Sequence, residues 1–421
     1  MNRRELLTYA GAAGLLATLP KPMIARAATT GPKRRLIMVY ARGGWDPTLV
    51  LDPKTQSAQI DVAPGARKNY SGLPVFADPA TRPNVDTFFT RHASSAAIVR
   101  GISVASVVHL ECQKRMATGT REETNADMGA IVAHDHGNDL ALPYLILGET
   151  AYAGPYAASA GRVGTSNQII ALLDPAQAYQ TGGRPILAPT AAEEAALAAY
   201  TAAGVERARA TRGATGYNKK RIDDFASSIE RGKALRPLRS SLGTRGRTLA
   251  LTDQIDLALE ALNGGVSQAA MLSTRVSWDD HDDITDQIPS AEMTYAALTH
   301  LMDQLKTRNS SLQAGTKMID DTVVLCFSEF GRTPKKNANG GKDHWPVTAA
   351  LVMGAGIDGG RAFGATNDGL EAQAIDFATG ATSATGRTLM SSHFVAGVLR
   401  ACNVEPTSHL AATEVFDAFV A

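Results

Sequence analysis

The stretch that decides the fold is residues 36–46, which read LIMVYARGGWD. The first five residues are apolar without interruption, and two glycines, a tryptophan and an aspartate come soon after them. A short apolar run that leads to a glycine pair predicts a buried strand followed by a tight turn. A strand that is buried on both faces is typical of a parallel sheet. The stretch therefore predicts the first strand of an α/β core, with Asp46 just beyond its carboxyl end.

Similar apolar runs recur along the chain. They predict strands at residues 96–101, 143–148, 322–327 and 349–354. Segments with helical composition or spacing fall between and after them, at residues 126–135, 190–210, 249–264, 291–306 and 388–402. Continuous apolar runs that alternate with helices predict a mostly parallel sheet covered on both faces. We expect the stretches near 55–85 and 205–250 to be insertions that decorate this core.

The N-terminus has the pattern of an export signal. Residues 2–7 read NRRELL, a mildly apolar stretch runs from Tyr9 to Leu19, and residues 25–27 form an ARA triplet. These features predict a signal peptide over residues 1–27, and the adjacent arginines favour the twin-arginine type. A basic N-terminus without a targeting role is the alternative. We therefore expect the twin-arginine export machinery to deliver a mature domain, residues 28–421, to the periplasm or another extracytoplasmic location, with no stable membrane span after cleavage.

Charge and cysteine content disfavour several classes of protein. The formal net charge is +1 over 421 residues, which gives no indication of a nucleic-acid or anionic-membrane partner. The three cysteines, Cys112, Cys326 and Cys402, are an odd number without a CxxC motif. This pattern excludes a disulfide framework, although a single bridge stays open. An oxidoreductase is disfavoured because no G-x-G-x-x-G follows the first strand and no cysteine set suits a cluster or haem.

Three polar clusters follow predicted strands or lie in loops beside them. They are residues 43–46 (GGWD), residues 278–283 (WDDHDD) and residues 328–334 (SEFGRTP), and the last is followed by Asp343 and His344. In open parallel sheets, ligands bind beyond the carboxyl ends of the strands. Carboxylates and imidazoles without a thiolate favour Zn, Mn, Fe, Ca or Mg. The clusters therefore predict a site for divalent metal ions.

Each cluster also has a structural alternative. Asp46, after two glycines, is equally expected to cap the helix that follows. Residues 279–283 also fit a solvated acidic turn, and the Asp343-His344 dipeptide is weak by itself. Glu329 is a stronger indication, because a carboxylate directly after a buried strand needs a partner. If Glu329 belongs to a purely structural ion pair, Arg332 is the expected partner.

In order along the chain, these motifs resemble those of a known family. The chain is similar to the bacterial family described as domain of unknown function 1501, whose members typically carry twin-arginine signals. The resemblance covers nearly the whole mature chain, and residues 328–334 followed by Asp343-His344 are its most specific part. That family resembles a branch of the alkaline phosphatase and sulfatase superfamily. The resemblance implies a three-layer α/β/α sandwich of the alkaline phosphatase type, with a metal site at the strand ends.

The resemblance also implies roles for individual residues. The implied metal ligands are Asp46, Asp279, His281, Glu329, Asp343 and His344. His109 falls where the family often has a histidine and is a catalytic candidate. Arg332 is expected to stabilise charge on the oxygens of the transferred group. His393 is a weaker candidate, for which a helical surface position is the alternative.

The sequence departs from the family pattern at two positions and leaves the nucleophile open. Ser277 stands where the family usually has glycine, and Asp280 stands where it usually has threonine. The extra carboxylate of Asp280 is either a ligand or a bystander. The superfamily uses a Ser, Thr or Cys nucleophile at a helix start near the metals. Ser103 and Ser106 lie in that stretch, but no sulfatase-type Cys-x-Pro-x-Arg motif occurs.

Two functions fit these observations. The leading hypothesis is an exported metal-dependent hydrolase of phosphate or sulfate esters, with a small-molecule or polymeric substrate, in which the metal polarises the ester oxygen and activates water or a serine. The alternative is a non-catalytic exported protein that retains the fold and binds a cell-surface polymer or a partner. The retained acid and histidine set favours the hydrolase, and the unassigned nucleophile favours the binding protein.

Overall fold

The structure is a computed structural model of the 421-residue chain. It describes residues 31–54, 57–122, 124–148, 150–162, 190–213, 215–235, 250–410 and 413–421. The expected signal at residues 1–27 lies outside these ranges.

The strands form one large central sheet and two small ones. They are β1 (Arg35–Tyr40), β2 (Ala66–Tyr70), β3 (Leu73–Ala77), β4 (Ala96–Ser103), β5 (Tyr144–Ile146), β6 (Ala160–Arg162), β7 (Ala269–Ser273), β8 (Thr322–Phe327), β9 (Gly331–Arg332), β10 (His344–Trp345), β11 (Val347–Gly354) and β12 (Arg361–Phe363). The central sheet has the order β12-β4-β11-β8-β1-β7-β5-β6, and the pairs β2–β3 and β9–β10 stand apart from it.

The central sheet is mostly parallel. β1 pairs in parallel with β7 on one side and β8 on the other, with Tyr40 opposite both Ser273 and Phe327. The outer pairs β5–β7, β5–β6 and β4–β12 are also parallel. β11 is the exception in this sheet, because it runs antiparallel to both β4 and β8. The predicted α/β fold with a mostly parallel sheet is therefore confirmed.

Helices cover both faces of the sheet. They are α1 (Pro83–His92), α2 (His109–Thr118), α3 (Met128–Gly137), α4 (Ala191–Thr211), α5 (Gly216–Ala234), α6 (Leu251–Asn263), α7 (Gln287–Thr307) and α8 (Ser391–Ala401). Short 3-10 turns occupy Pro47–Leu49, Ala93–Ser95, Gly154–Ser159, Met318–Asp320 and Pro406–Ser408.

The side chains of β1 show how the layers arise. Alternate residues of a strand point to opposite faces. Ile37 and Val39 pack into a core with α1, α6 and α7, whereas Leu36, Met38 and Tyr40 pack into a second core with α2, α3 and α8. Every residue of β1 is buried, because both faces of the sheet are covered. The protein is thus a three-layer α/β/α sandwich, as the resemblance implied.

Strand β7 was not predicted from the sequence, although it lies beside β1 in the centre of the sheet. Its sequence is AAMLS, and alanine has low strand propensity. All five residues are buried, and β7 pairs with both β1 and β5. Burial between two strands therefore overrides the local preference. The strand predicted at residues 322–327, in contrast, coincides with β8.

The two expected insertions contain secondary structure of their own. The β2–β3 hairpin and the start of α1 fall within residues 55–85. The end of α4 and all of α5 fall within residues 205–250, of which 214 and 236–249 lie outside the described residues. The division of the chain into a signal and one decorated domain stays a prediction.

All three cysteines are free and buried. Cys326 lies in the core that contains α1, and Cys112 and Cys402 lie in the core that contains α8. The single bridge that the sequence left open is therefore absent from the structure. In the described ranges, every helix is too short or too polar to cross a bilayer.

Candidate metal centre

Four loops meet at the carboxyl edge of the sheet. They follow β1, β4, β7 and β8. The loops after β1, β7 and β8 contain the GGWD stretch, the WDDHDD stretch and Glu329, and the loop after β4 leads to His109 at the start of α2. The β9–β10 hairpin then returns the chain, and it places His344 opposite Arg332. Because neighbouring parallel strands end at the same edge, motifs that are far apart in sequence meet here.

Two glycines explain why the GGWD stretch can join this group. Gly43 has φ of +123° and Gly44 has φ of +85°, conformations that favour glycine. A Cβ atom on Gly43 would fall on the backbone of Asp279, and one on Gly44 would fall on the ring of Phe330. The first loop therefore packs directly against the loops after β7 and β8, which only glycine allows.

The centre of the site is the carboxylate of Asp279, which three imidazoles surround. Asp279 Oδ1 lies 3.1 Å from His281 Nε2 and 3.2 Å from His344 Nε2. Asp279 Oδ2 lies 3.3 Å from His109 Nε2. The Nε2 atoms of His281 and His344 are themselves 3.2 Å apart. Four donor groups, from the loop after β7, the start of α2 and the β10 strand, thus meet at one point.

Each of the three histidines is held in place through its other ring nitrogen. His109 Nδ1 lies 2.9 Å from Glu329 Oε1. His281 Nδ1 lies 3.1 Å from Asp343 Oδ1, and His344 Nδ1 lies 3.0 Å from the Val107 carbonyl oxygen. Carboxylate and carbonyl oxygens only accept hydrogen bonds, so each Nδ1 is assigned as the N–H donor. In the neutral ring, Nε2 then carries a lone pair, which is the arrangement by which proteins orient histidine ligands to metals.

The donor set fits a divalent cation. Among the described residues, His109, Asp279 and His344 form a group whose donor atoms all lie within 4.8 Å of one another. His281 Nε2 lies 3.2 Å from His344 Nε2, and Arg332 Nη1 donates to it at 3.2 Å. Imidazole nitrogens with one carboxylate oxygen are a donor set typical of zinc and other first-row metals.

The pKa values at the centre follow from the same contacts. Partial burial opposes ionisation of Asp279, but the hydrogen bond from Arg332 and the contact with His344 Nε2 outweigh it and lower the pKa of Asp279 to about 2. The hydrogen bond to Glu329 raises the pKa of His109. Burial lowers the pKa of His344. The centre therefore combines an ionised carboxylate with an imidazole that favours the neutral form.

Glu329 is fully buried directly behind His109. Its two carboxylate oxygens accept hydrogen bonds from the backbone N–H of Gly43 at 2.9 and 3.0 Å, and Ser328 Oγ donates to Oε2 at 3.0 Å. Burial would raise the pKa of Glu329, but the hydrogen bonds from His109 and Gly43 together lower it. Glu329 is thus an ionised group that links the first loop to His109.

Arg332 is buried beneath the site with 1% of its side chain exposed. Its five N–H groups have acceptors within the protein. The acceptors are Asp279 Oδ1, His281 Nε2 and the carbonyl oxygens of Gly43, Gly44, Trp278 and Lys342. In this structure Arg332 holds the loops and Asp279 in place, and its hydrogen-bonding capacity is used by the protein itself.

Asp46 makes the capping contact that was its alternative interpretation and, in addition, an ion pair that was not expected. Its Oδ1 accepts from the Thr48 backbone at 2.9 Å, which caps the short turn at Pro47–Leu49. Its Oδ2 lies 2.7 Å from the ammonium nitrogen of Lys342, which is itself buried. Asp46 is not part of the group of donors around Asp279.

The two candidate nucleophiles lie in the chain that leads from β4 to α2. Ser103 ends β4, and its backbone N–H donates to Leu389 O. Ser106 is half-buried, and its hydroxyl donates to Glu111 Oε2 at 3.0 Å. The preceding Ala105 has φ of +57°, an uncommon conformation for a residue with a side chain. Ser106 therefore lies on a tight turn three residues before His109.

Sequence reasoning missed several residues that support the site. Gln287 accepts from Asp46 N and donates to the carbonyl oxygens of Gly44 and Trp278, which joins the first two motifs. Asn337 donates to His281 O and to Asp343 Oδ1. Lys342 could have been found from the sequence, because it directly precedes the Asp343-His344 motif. No local pattern marks Gln287 or Asn337.

Two weaker sequence candidates lie beside the centre or away from it. The pKa of Asp280 is raised, mainly by burial and to a smaller extent by the charge of Asp286. Asp280 is not part of the donor group around Asp279. His393 lies in the first turn of α8, where its Nδ1 accepts from Met390 N at 3.2 Å and its ring packs against Phe377.

A cavity of about 1160 Å³ opens beside the centre. His109 and Asp279 form part of its wall, and Arg42, Leu110 and Arg275 contribute other parts. A volume of this order exceeds that of most pockets for small ligands, which run from roughly 300 to 1,000 Å³. The candidate metal centre is therefore accessible to a sizeable molecule.

Fold and site together define an α/β protein with a histidine and aspartate centre at the carboxyl edge of a mostly parallel sheet. The chain belongs to the family described as "Protein of unknown function (DUF1501)", whose model matches residues 33–379. The family predicted from the motifs is thus confirmed. No curated protein matches the chain in sequence.

Solved structures with similar folds include three bacterial proteins. A protein in the alkaline phosphatase superfamily from Vibrio parahaemolyticus is 12% identical, over 89% of this chain and 68% of that one, with a TM-score of 0.39. The C-terminal periplasmic domain of EcEptC from Escherichia coli, in complex with Zn, is 8% identical over 93% and 88%, with a TM-score of 0.42. The PsFucS1 sulfatase from Pseudoalteromonas sp. is 9% identical over 100% and 76%, with a TM-score of 0.38. Because these scores are below 0.5, the assignment of the fold rests on the sheet itself.

Proposed function

We propose that this protein is an exported metal-dependent hydrolase of phosphate or sulfate esters. The observation that carries the proposal is the convergence of three histidine Nε2 atoms on the carboxylate of Asp279, each ring held through Nδ1. The cavity beside this centre is large enough for an ester substrate. The proposal is also supported by the family to which the chain belongs, because that family resembles a branch of the alkaline phosphatase and sulfatase superfamily.

The proposed ligands are His109, Asp279 and His344, with His281 beside them. A divalent cation held there supplies Lewis-acid polarisation of the ester oxygen. In this proposal Glu329 and Asp343 orient the imidazoles of His109 and His281, because each carboxylate accepts from Nδ1. Their roles are thus to position ligands, although both were expected from the resemblance to bind metal directly.

The proposed roles of two other predicted residues also follow from their contacts. Arg332 positions Asp279 and the surrounding loops through its complete set of hydrogen bonds. Asp46 fixes the first loop through its ion pair with Lys342 and its cap. Both actions are needed for the ligand geometry, and neither requires contact with a substrate.

Ser106 is the serine that we propose to test as nucleophile, because it precedes His109 on the tight turn. Its hydroxyl donates to Glu111. Hydrogen bonds from Arg115 and then Ser106 lower the pKa of Glu111, which makes it a weak proton acceptor. This observation favours the second candidate, a non-catalytic exported binding protein with the same metal centre.

Metal analysis combined with an ester assay tests the proposal. The variants are His109→Ala, Asp279→Asn and His344→Ala, with His300→Ala as the matched control, since His300 bonds to Asp256 on α6. The metal content of each purified protein is measured, and hydrolysis of aryl phosphate and aryl sulfate esters is followed. We expect the wild type and the control to carry metal and hydrolyse one ester class, and the other three variants to lose both properties.

The possible results separate the candidate functions. Full metal occupancy in all three site variants would disprove the metal centre. Metal in the wild type without hydrolysis of either ester would support the binding protein. If hydrolysis occurs and Ser106→Ala retains it, then water is the nucleophile.

A further inference from the structure

The chain exposes apolar side chains to solvent on both sides of His109. Val107, Val108 and Leu110 are 42%, 58% and 67% exposed. Of the large apolar side chains that are exposed in the described part of the chain, these three fall within four consecutive residues. Single exposed apolar residues are normal in a protein surface, whereas a contiguous group typically marks a binding surface. This group flanks a proposed metal ligand, so any binding surface that it forms adjoins the metal centre.

Val108 breaks a local preference as well. It occupies the N-cap position of α2, where its side chain makes no capping hydrogen bond. Ser, Thr, Asp and Asn are strongly preferred at this position, and Val is among the least favoured residues. Threonine has nearly the shape of valine and would cap the helix. An exposed apolar side chain where a hydroxyl would stabilise the helix is the kind of local conflict that is expected at functional sites.

Backbone contacts fix this segment relative to the metal centre. The Val107 carbonyl oxygen accepts from His344 Nδ1 at 3.0 Å, and Ser106 Oγ accepts from the Val108 backbone N–H at 3.2 Å. A segment that is held in this way loses little conformational freedom when a ligand binds to its side chains. The apolar side chains are therefore presented from a backbone that is already ordered.

The cavity beside the centre has apolar as well as polar walls. Leu110 lines it together with His109 and Asp279, and Ala250 and Val276 contribute further apolar side chains. Its volume of about 1160 Å³ leaves room for much more than one phosphate or sulfate group. Apolar walls are stabilised when the apolar part of a ligand covers them, because apolar surface is then removed from water. The cavity thus suits a ligand with an anionic part and an apolar part.

We infer that the substrate is an ester of an apolar alcohol, alkyl or aryl, whose apolar part packs against Leu110 and Val108 while its phosphate or sulfate group lies at the metal centre. The inference rests on the proposed hydrolase for the reaction, but the class of ligand can be tested by binding alone. Leu110 and Val108 are then residues that determine specificity. An ester of a polar alcohol would leave both side chains exposed to water.

Calorimetric titration with alkylphosphonates and alkylsulfonates tests the inference, because these compounds carry the anionic group without an ester bond. Methyl, butyl and octyl compounds are titrated into the wild type and Leu110→Ser, each with the metal that it carries, and metal content is measured in parallel. A buried methylene strengthens binding by about threefold to fourfold. We expect the wild type to bind the octyl compound of at least one anion more than about tenfold more tightly than the methyl compound. Leu110→Ser should bind the methyl compound within about twofold of the wild type and the octyl compound about fivefold to tenfold more weakly.

Two further variants separate the cavity from other effects. Leu197→Ser is the matched control, because Leu197 is 57% exposed on α4 and does not line the cavity. It should bind every compound within about twofold of the wild type, whereas adsorption of alkyl chains to any exposed leucine would weaken octyl binding here too. Val108→Thr should keep or raise the melting temperature, because threonine caps α2, and should weaken octyl binding by about threefold.

Several results would overturn the inference. They are equal affinities of the wild type for the methyl and octyl compounds, unchanged octyl binding in Leu110→Ser, and an equal loss of octyl binding in Leu197→Ser. A raised melting temperature with unchanged octyl binding in Val108→Thr would also count against it.

Ester kinetics distinguish failure of the inference from failure of the proposed function. Hydrolysis of methyl and octyl esters with the same KM would refute the apolar alcohol and leave the hydrolase standing. If no ester is hydrolysed, the proposed function fails. In that case, octyl binding that exceeds methyl binding and is weakened in Leu110→Ser still supports the class of ligand.

Discussion

Replacement of Glu329 by glutamine gives the sharpest test of how the centre is built. The carboxylate is fully buried, accepts from His109 Nδ1 at 2.9 Å and receives the Gly43 N–H on both oxygens. Glutamine has the same shape and keeps one acceptor oxygen for these bonds. In the variant, Ser328 Oγ can direct its hydrogen to Ala41 O, which lies 2.6 Å away, and accept from the glutamine amide. The substitution therefore removes the charge and leaves the packing intact.

The expected effect follows from the role of Glu329 behind a ligand. A charge-assisted hydrogen bond is roughly twice as strong as a neutral one, so His109 loses part of its orientation and basicity. Substitution of residues that hold metal ligands typically lowers metal affinity about 10- to 100-fold, which corresponds to about 1.4–2.7 kcal/mol of binding free energy. In the metal-free protein, the pKa of His109 should fall, because the hydrogen bond to Glu329 is the main cause that raises it.

Two measurements check this prediction. Competition with a chromophoric chelator gives the metal affinity, and NMR titration of the metal-free protein gives the pKa of His109. Glu405→Gln is the control, because Glu405 caps a distant turn at Pro406–Ser408. If Glu329→Gln leaves both the affinity and the pKa of His109 unchanged, the assignment of Glu329 as a positioning residue is refuted. A complete loss of metal would instead favour Glu329 as a direct ligand.

Three further predictions concern stability and export. Asp321→Ala should lower the free energy of unfolding, measured by urea denaturation, by about 3–5 kcal/mol. The reason is that buried Arg35 loses the carboxylate that lies 2.6 Å from its guanidinium, and a loss below about 1 kcal/mol would contradict this. Burial lowers the pKa of His92 to about 4 in the folded protein, so the unfolded chain takes up this proton first as the pH falls. The free energy of unfolding should therefore fall by up to about 3 kcal/mol when the pH is lowered from 6.5 to 4. His92→Gln should remove that part of the pH dependence, and an unchanged slope would refute it. Replacement of Arg3 and Arg4 by lysine should leave the uncleaved precursor in the cytoplasm on immunoblots of cell fractions, whereas normal processing would argue against a twin-arginine signal.

The sequence predicted the strands that carry strong local signals. β1 and β8 each consist of a five-residue apolar run preceded by one polar residue, and both were located within a residue of their observed bounds. β7 has two alanines among its five residues and was missed, because its strand conformation depends on pairing with β1 and β5. Local propensity thus predicts a strand only where the side chains themselves favour one.

The residues of the candidate site divide in a similar way. The sequence placed Asp279, His281 and His344 in motifs, since acids and histidines after apolar strands are conspicuous. It did not separate the proposed ligands from the residues proposed to position them: Glu329 and Asp343 contact the Nδ1 atoms of histidines rather than Asp279. That distinction depends on which ring nitrogen points inward, and only the packing of the loops determines this.

By itself, the sequence determined the α/β class, the family and the residue types available to the site, because apolar periodicity and short motifs are local properties. The tertiary structure alone decided which of those residues meet and how they are oriented. The parallel register brings four loop ends to one edge, and Gly43 lets two of them touch. Hydrogen bonds from Nδ1 then turn three imidazoles toward one carboxylate, and such contacts arise between residues that no local pattern connects.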